Sequence, residues 1–478
     1  MKSEQSPTGK IDPSESSTAI EKYEIQLSPL KKNINRQSKM LRRFIGRTAL
    51  AFSLRAQRLM DMLLAILFIA LLSPIFIFLL FITLPRARNA SGPRYFYGKY
   101  GTPFRMLYLP VTDEILPKAG DATPDRKFIK RYSLHKLPVL INILKGDLSF
   151  VGPSPVPYPS REIPEYVRQT TRPGLTNPYL LRKAVNIAHE AEMTADREYI
   201  HQRSAKGDLG VLLRSALILP TSGEKPIPTP EINMLDITIR NMKMSEVINK
   251  IAHDALQTTP VQLAFVNPDC MNIACTNNEY KALLQKLDFV LADGIGIHIA
   301  CKLMNTSMDD NVNGTDLFPY LCERAMQDHL PIYFLGGKPG IVDAMVEVLH
   351  AKYPALVIAG FQHGYFKPEE EGNIINTIKQ SGARILLVAL GAPRQELWIH
   401  SNLNALGVGI ALGVGGLFDF MSGQTKRAPR WMREIGVEWV YRLLQEPGRM
   451  WRRYIIGNPL FLWRVMRWQK RMKAGNHQ

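Results

Sequence analysis

The chain has 478 residues, 46% hydrophobic and 21% charged, with a formal net charge of +18. That length exceeds one ordinary core and predicts two or three domains, while the excess of cations calls for an anionic partner: nucleic acid, lipid headgroups or a phosphate-bearing substrate. Its four cysteines, Cys270, Cys275, Cys301 and Cys322, form no C-x-x-C pair and its histidines no H-E-x-x-H, which points to a reduced compartment and against structural zinc.

Residues 1–39 are polar and lack the apolar core of a signal peptide, so a disordered tail is predicted. From Met60 to Leu84 the chain is apolar with one charge, Asp61. At about 1.5 Å per residue it is long enough to cross a hydrocarbon core of about 30 Å. Ser73-Pro74 lies in its middle, and a mid-helix proline removes a backbone hydrogen bond and favours a kink or break. Arg42, Arg43, Arg47, Arg55 and Arg58 precede the segment, and Arg86, Arg88, Arg94 and Lys99 follow it. Two basic ends fit best when both face the cytosol, which favours a re-entrant hairpin over a straight span.

A membrane-anchored domain is therefore expected over residues 40–219, followed by a proline-rich linker at 220–231. Beyond it the runs VQLAFV, DFVLA, PIYFLG, ALVIAG, ARILLVALG and GIALGVGG alternate with helical patterns. This is the signature of an α/β fold with a parallel, Rossmann-like sheet, expected over residues 232–423.

Ligands of such sheets sit beyond the carboxyl ends of the strands. Those ends carry Asn267-Pro268-Asp269, Asp293-Gly294-Ile295-Gly296, Gly336-Gly337-Lys338-Pro339-Gly340, Gly364-Tyr365-Phe366, Gly391-Ala392-Pro393-Arg394-Gln395-Glu396 and Gly413-Val414-Gly415-Gly416. Glycines let backbone N–H groups approach a diphosphate. Neither a Walker loop nor G-x-G-x-x-G is present, so neither ATP hydrolysis nor NAD binding is indicated. Taken singly, Asp293 reads as a turn-former or a catalytic group, Gly336–Gly340 as a tight turn or a phosphate nest, and Arg394-Gln395-Glu396 as a helix start or a site.

Together the strings LADGIGI, FLGGKPG, GYFKPEE, LLVALGAPRQELWI, GVGGLFDFMSGQTKRAP and GVEWVYRLLQEPGRMWRRY resemble, in order and spacing, the WecG/TagA/CpsF family, glycosyltransferase family 26. The resemblance implies an inverting transferase that takes a UDP-sugar, of N-acetylmannosamine or uronic acid type, to a sugar on undecaprenyl diphosphate. It implies no metal and no cofactor. By the same resemblance Asp293 is the general base, and Asn267, Gly336, Gly337, Gln395 and Glu396 belong to the substrate site. One departure is visible: the family usually has an arginine shortly before its G-x-D-L motif, where this chain has Asn311 before Val312-Asn313-Gly314-Thr315-Asp316-Leu317.

The front half, about Ala56 to Leu219, resembles the bacterial sugar transferase family of monotopic polyprenyl-phosphate sugar-phosphate transferases. The resemblance rests on the membrane helix with Ser73-Pro74, SLHKLPVLINILKGDLSFVGPSP, RPGLT and Asp196-x-x-Tyr199, and it implies a re-entrant helix. The family's nucleophilic Asp and metal-placing Glu are here His135 and Lys136, its G-P-R-P is Gly152-Pro153-Ser154-Pro155, and its basic K-x-R is Tyr108-Leu109-Pro110. An ammonium repels a metal ion, so a module without phosphotransfer is expected, and a bifunctional enzyme is the alternative.

Residues 424–478 hold thirteen Lys or Arg against three Glu, interleaved with Trp431, Trp439, Trp451, Trp463 and Trp468, a pattern suited to an anionic bilayer surface. Arg442, Arg449 and Arg452 match positions at which the family's C-terminal appendage is thought to hold phosphate, and Pro447 opens a new helix between the first two. The expected partners are thus a UDP-sugar, a polyprenyl-diphosphate acceptor and membrane lipids at the cytoplasmic face of the bacterial inner membrane. No nucleic-acid motif is present. An oligomer is compatible with the sequence.

Overall fold

A computed structural model describes residues 53–79, 81, 94–109, 134–160, 165–187, 189–218, 228–287 and 289–475. The tail at 1–39, most of the 220–231 linker, the cations Arg42, Arg43, Arg47, Arg86 and Arg88, and Pro110 and Ser133 lie outside these.

Helix α1 (Ser53–Leu79) is long and apolar enough, by length and composition, to cross a membrane. It runs unbroken through Pro74, where the sequence predicts a kink or break. Pro74 offers no N–H to the Ala70 carbonyl, and the Ser73 hydroxyl donates to that carbonyl instead, at 2.9 Å. Leu63, Leu67, Leu71 and Phe78 project outward and are exposed among the described residues. The one acidic residue is buried against the rest of the front half: Ser149 Oγ donates to Asp61 at 2.6 Å and the Phe150 N–H at 3.2 Å, which satisfies a carboxylate that would otherwise be costly to bury.

The rest of the front half is small and mixed. Strands β1 (Tyr95–Tyr97), β2 (Pro103–Arg105) and β4 (Pro157–Tyr158) form an antiparallel sheet, while β3 (Ser149–Val151) pairs in parallel with β5 (Gly174–Thr176). Helices α2 (Val139–Lys145), α3 (Pro178–Ala184), α4 (Glu192–Gln202) and α5 (Ala205–Ile218) pack around them over Ile143, Leu148, Leu181 and Val211.

The C-terminal half is built on one eight-stranded sheet. An antiparallel hairpin, β6 (Glu231–Met234) and β7 (Ile237–Arg240), sits at its edge. The remaining strands are β8 (Val261–Val266), β9 (Phe289–Ala292), β10 (Ile332–Gly336), β11 (Ile358–Gln362), β12 (Ile385–Ala389) and β13 (Ile410–Gly413). They run parallel in the order β11-β10-β12-β13-β8-β9-β7-β6. All six apolar runs read from the sequence are these strands.

Successive residues of β8 alternate between two cores: Leu263 and Phe265 face one, Ala264 and Val266 the other. On the first face lie α6 (Met244–Ala255), α9 (Gly314–Gln327) and α10 (Ile341–Lys352); α6 presents Met244, Val247, Ile248, Ile251 and Ala255 at helical spacing. The second face is covered by α7 (Pro268–Ala274) and α8 (Ile295–Leu303) at one end and by α11 (Glu371–Gln380) and α12 (Arg394–Asn402) at the other.

The chain then continues through α13 (Arg430–Glu434), α14 (Glu438–Gln445), α15 (Pro447–Trp451), a π-helical turn over Arg452–Ile456 and α16 (Gly457–Gly475). Pro447 opens α15 as expected. Helix α16 is not a free surface segment, because Phe461 and Val465 are fully buried in the second core. Of the five tryptophans read as interfacial, Trp431, Trp451 and Trp463 are exposed. Trp468 packs on the core and donates its indole N–H to Asp236 at 2.8 Å, and Trp439 stacks edge-on to Tyr454.

Candidate functional site

The carboxyl ends of the parallel strands, together with the chain from Gln424 to Asn458, wall a cavity of about 1410 Å³. Each strand delivers its next residues to it: Asn267 after β8, Asp293 after β9, Gly337 after β10, Gly364 after β11, Gly391 after β12 and Val414 after β13. Seven of the site residues singled out in the sequence line the cavity: Asn267, Asp293, Gly337, Gln395, Arg442, Arg449 and Arg452. Gly336 and Glu396 stand directly behind the lining.

Asp293 follows β9 with its N–H bonded to the Val266 carbonyl at 2.8 Å, so its backbone is fixed beside the end of β8. There Asn267 caps α7, accepting from the Asp269 and Cys270 N–H groups at 3.1 Å each, and its Nδ2 lies 3.5 Å from Asp293 Oδ2. Burial raises the Asp293 carboxyl above its ordinary value, and Asn267, Arg453 and Arg442 pull the other way. Gly294 follows with φ 91°, a conformation that favours glycine, and its N–H donates to Asn311 Oδ1 at 2.8 Å.

The second buried group is a pair. Gln395 accepts from the N–H groups of Gly391 and Gly415 at 3.1 Å each, tying together the loops after β12 and β13. Its Nε2 donates to Glu396 Oε1 at 2.7 Å, and Glu396 is fully buried with its carboxyl pushed up to about 7 by that burial. Strand β13 passes so close that a Cβ on Gly413 would come within 2.8 Å of Gln395 Nε2 and 2.9 Å of Glu396 Oε1, so any larger residue there would push this hydrogen-bonded pair aside. Gln395 thus shapes the floor of the cleft, and Glu396 backs it.

Positive charge comes from the roof. Arg442 lies over the Phe420 ring at 4.8 Å, and Arg453 reaches Asp269 at 3.4 Å. Arg449 and Arg452 sit at the exposed rim, the first paired with Glu446 at 2.9 Å. Burial would raise the Asp316 carboxyl, but Arg427 at 2.7 Å outweighs it and holds that carboxyl below its ordinary value. Asp316 also receives Nδ2 of Asn313, the α9 cap, at 2.7 Å.

Sequence reasoning missed Arg453, whose charge is felt at Asp293 although its neighbour Arg452 points to the rim. It also missed Val185 and Ile187, which enter the cavity wall from the front half. Arg453 left a weak signal, a second arginine in the same string; the other two left none.

In the front half, Asp196 pairs with Arg168 at 2.8 Å, and burial raises its carboxyl to about 6. The Tyr199 hydroxyl lies 3.0 Å from Asp208 and 3.2 Å from the Val151 carbonyl, its one proton shared between these two acceptors, so this motif braces α4 against α5 and β3. Ser154 accepts from Asn177 at 3.0 Å, a contact within the protein at the position of the expected arginine.

A sheet covered on both faces, with a polar, arginine-roofed cleft at its carboxyl edge, defines an α/β enzyme fold. Residues 232–475 match the model of the Glycosyl transferase WecG/TagA/CpsF family, and residues 52–221 match that of the Bacterial sugar transferase. The chain is 35% identical over 233 residues, 48% of its own length and 87% of the relative's, to an N-acetylglucosaminyldiphosphoundecaprenol N-acetyl-beta-D-mannosaminyltransferase of Bacillus spizizenii. A protein of the same name from Bacillus subtilis is 31% identical over 212 residues, 44% of this chain and 81% of the relative. The chain belongs to the WecG/TagA/CpsF family and is a glycosyltransferase, with a bacterial-sugar-transferase segment in front.

Proposed function

We propose that the chain moves a sugar, with inversion, from a UDP donor to a sugar carried on undecaprenyl diphosphate, in assembly of a bacterial cell-surface or exopolysaccharide. The observation that carries this reading is the position of Asp293, a carboxylate at a strand end inside a cleft roofed by arginines. A raised pKa suits a general base. The acceptor hydroxyl oxygen attacks the anomeric carbon, its proton passes to Asp293, and the bond from that carbon to the diphosphate oxygen breaks with its electron pair leaving on UDP. Arg442, Arg449, Arg452 and Arg453 would offset the charge of the leaving diphosphate. Asn267 aims the base; Gly337, whose N–H is held by the Ala389 carbonyl, and the loops that Gln395 ties together shape the floor on which the donor lies, with Gly336 and Glu396 supporting them from behind.

The names of the relatives favour an N-acetylmannosamine-type donor, with a uronic acid donor next. The front half, residues 40–219, serves as a membrane module without phosphotransfer, entering the membrane through one unbroken helix, its soluble face cytoplasmic; residues 232–423 form the transferase domain and 424–478 its appendage. Three exposed tryptophans beside the cations support contact with lipid. The test is incubation of the full chain with a panel of UDP-sugars and polyprenyl-diphosphate-linked acceptors. One sugar should be added per UDP released, with the anomeric configuration inverted. Transfer from none of the UDP-sugars would sink the proposal.

A further inference from the structure

Among the described residues the front half meets the transferase cleft at the turn after α3 and at the end of α13, and these contacts end on residues that shape it. The first lies at the turn after α3. Asn186, fully buried with φ 59°, donates from Nδ2 to the Met308 carbonyl at 2.7 Å and accepts the Asn311 N–H at 2.7 Å. Asn311 in turn holds the Gly294 N–H beside Asp293. Val185 and Ile187, on either side of Asn186, line the cavity.

The second place is the end of α13. Glu434 is buried and receives Arg182 Nε at 3.3 Å and Arg214 Nη1, both from the front half. The next residue, Ile435, packs on the front-half core. Gly436 follows, against Ile295 of the cleft, and then α14, which brings Glu438, Trp439 and Arg442 to the cavity. At the exposed rim of the same junction Arg430 pairs with Glu198 of α4 at 2.5 Å.

A buried carboxylate clasped by arginines is strongly destabilised when one partner is removed, so this contact has a defined geometry and not merely a shared surface. We infer that the front half is a positioning element of the transferase site: by clasping Glu434 and Ile435 it sets α14, α15 and their arginines over the cleft, and through Asn186 it sets the Asn311–Gly294 contact beside Asp293. The inference rests on the reading of the cleft as a diphosphate-sugar site. It gives a segment that has lost the side chains for phosphotransfer a role in the chemistry of its neighbour. Arg182, Arg214, Glu434 and Asn186 are positioning residues.

The experiment uses the full chain in detergent, with hydrogen exchange and UDP binding as readouts. Glu434→Gln should accelerate exchange in residues 436–456 by roughly tenfold or more and weaken UDP by a similar factor, with exchange in β8, β12 and β13 unchanged. The rim pair guards against simple misfolding: Glu198→Gln and Arg430→Gln remove it without setting like charges beside Arg182, 3.5 Å from Glu198, or Glu434, 3.9 Å from Arg430. Each should give a smaller effect, roughly two- to fivefold, and the double variant should be no worse than the worse single one. Unchanged exchange at 436–456 in every variant, or acceleration shared equally by the sheet, overturns the inference. If the wild-type chain binds no UDP, the donor assignment fails, and exchange alone still decides the clasp.

Discussion

Asn311 Oδ1 accepts the N–H of Gly294 at 2.8 Å, so the residue that stands where the family resemblance leads one to expect an arginine is hydrogen-bonded to the backbone adjoining Asp293. Asn311→Ala would leave that N–H unpaired in a largely enclosed position, at a cost of about 1–3 kcal/mol. Turnover should fall by roughly tenfold, and the melting temperature by several degrees, in keeping with that cost. A steady-state assay paired with a melting curve checks this; wild-type turnover would show that the brace is not used.

Asp293→Asn should lower turnover by roughly two or more orders of magnitude while UDP still binds. The base must be ionised to act, and burial raises its pKa, so activity is lost as pH falls through a value above the ordinary carboxylate range. The acid limb of kcat/KM should therefore lie higher than for an exposed aspartate. That limb should vanish from the residual activity of the variant. Were Asp293 only a turn residue, the variant would melt earlier yet keep its turnover per folded molecule.

Glu396 offers a stability test with a defined sign. Its folded pKa, about 7, lies above the ordinary 4.5, so the folded state binds the proton more tightly than the unfolded chain does. The stabilisation is complete below pH 4.5 and is lost as pH rises through about 7. Glu396→Gln keeps the shape and removes the titration. Relative to wild type it should gain stability between pH 5 and 8, by at most about 3 kcal/mol. A wild-type minus variant difference that is flat across that range would refute the assignment.

Much of this site could be read before the structure because a parallel sheet buried on both faces leaves near-continuous apolar runs, and its ligand residues follow those runs directly. Hairpin β6–β7 was not legible in that way: Ile232 and Met234 alternate with exposed Glu231 and Asn233, and its turn, Leu235-Asp236, has no glycine although both residues have positive φ. The break expected at Pro74 follows from a local rule that the Ser73 hydroxyl offsets. Composition places Trp468 at an interface because it cannot show that a partner, Asp236, waits 232 positions away. The seam at Asn186 and Glu434 has no periodic trace for the same reason.

The front half should release no UMP from a UDP-sugar in the presence of polyprenyl phosphate and magnesium, measured on full-length Asp293→Asn so that the transferase is silent. His135 and Lys136 occupy the positions expected for the nucleophilic and metal-placing carboxylates. Neither side chain substitutes for a carboxylate that binds magnesium. Membrane-dependent UMP release would instead support the bifunctional reading.

The arginines of the roof can be ranked. Truncation after Pro429 looks like the direct test, but it would also remove Phe461 and Val465, both fully buried in the second core, and each lost large apolar side chain costs about 2–5 kcal/mol. Loss of transfer after truncation would then report unfolding as readily as chemistry. Single substitutions separate the two. Arg442 and Arg453 act on Asp293 from the cavity, whereas Arg449 is exposed and already paired with Glu446. A charge in an enclosed cleft is worth more than one at a solvated rim, where water and salt screen it. Arg453→Ala and Arg442→Ala should therefore reduce kcat/KM by roughly a hundredfold, and Arg449→Ala by roughly tenfold or less, with Arg452→Ala between them. Arg453→Lys should recover only part of the loss, because an ammonium lacks the planar fork that meets a diphosphate with two bonds. The difference between Arg449 and Arg453 should shrink as salt is lowered, since the rim charge is the more strongly screened. Equal losses at all four positions, independent of salt, would mean that the roof acts through its fold and not through the charges it carries.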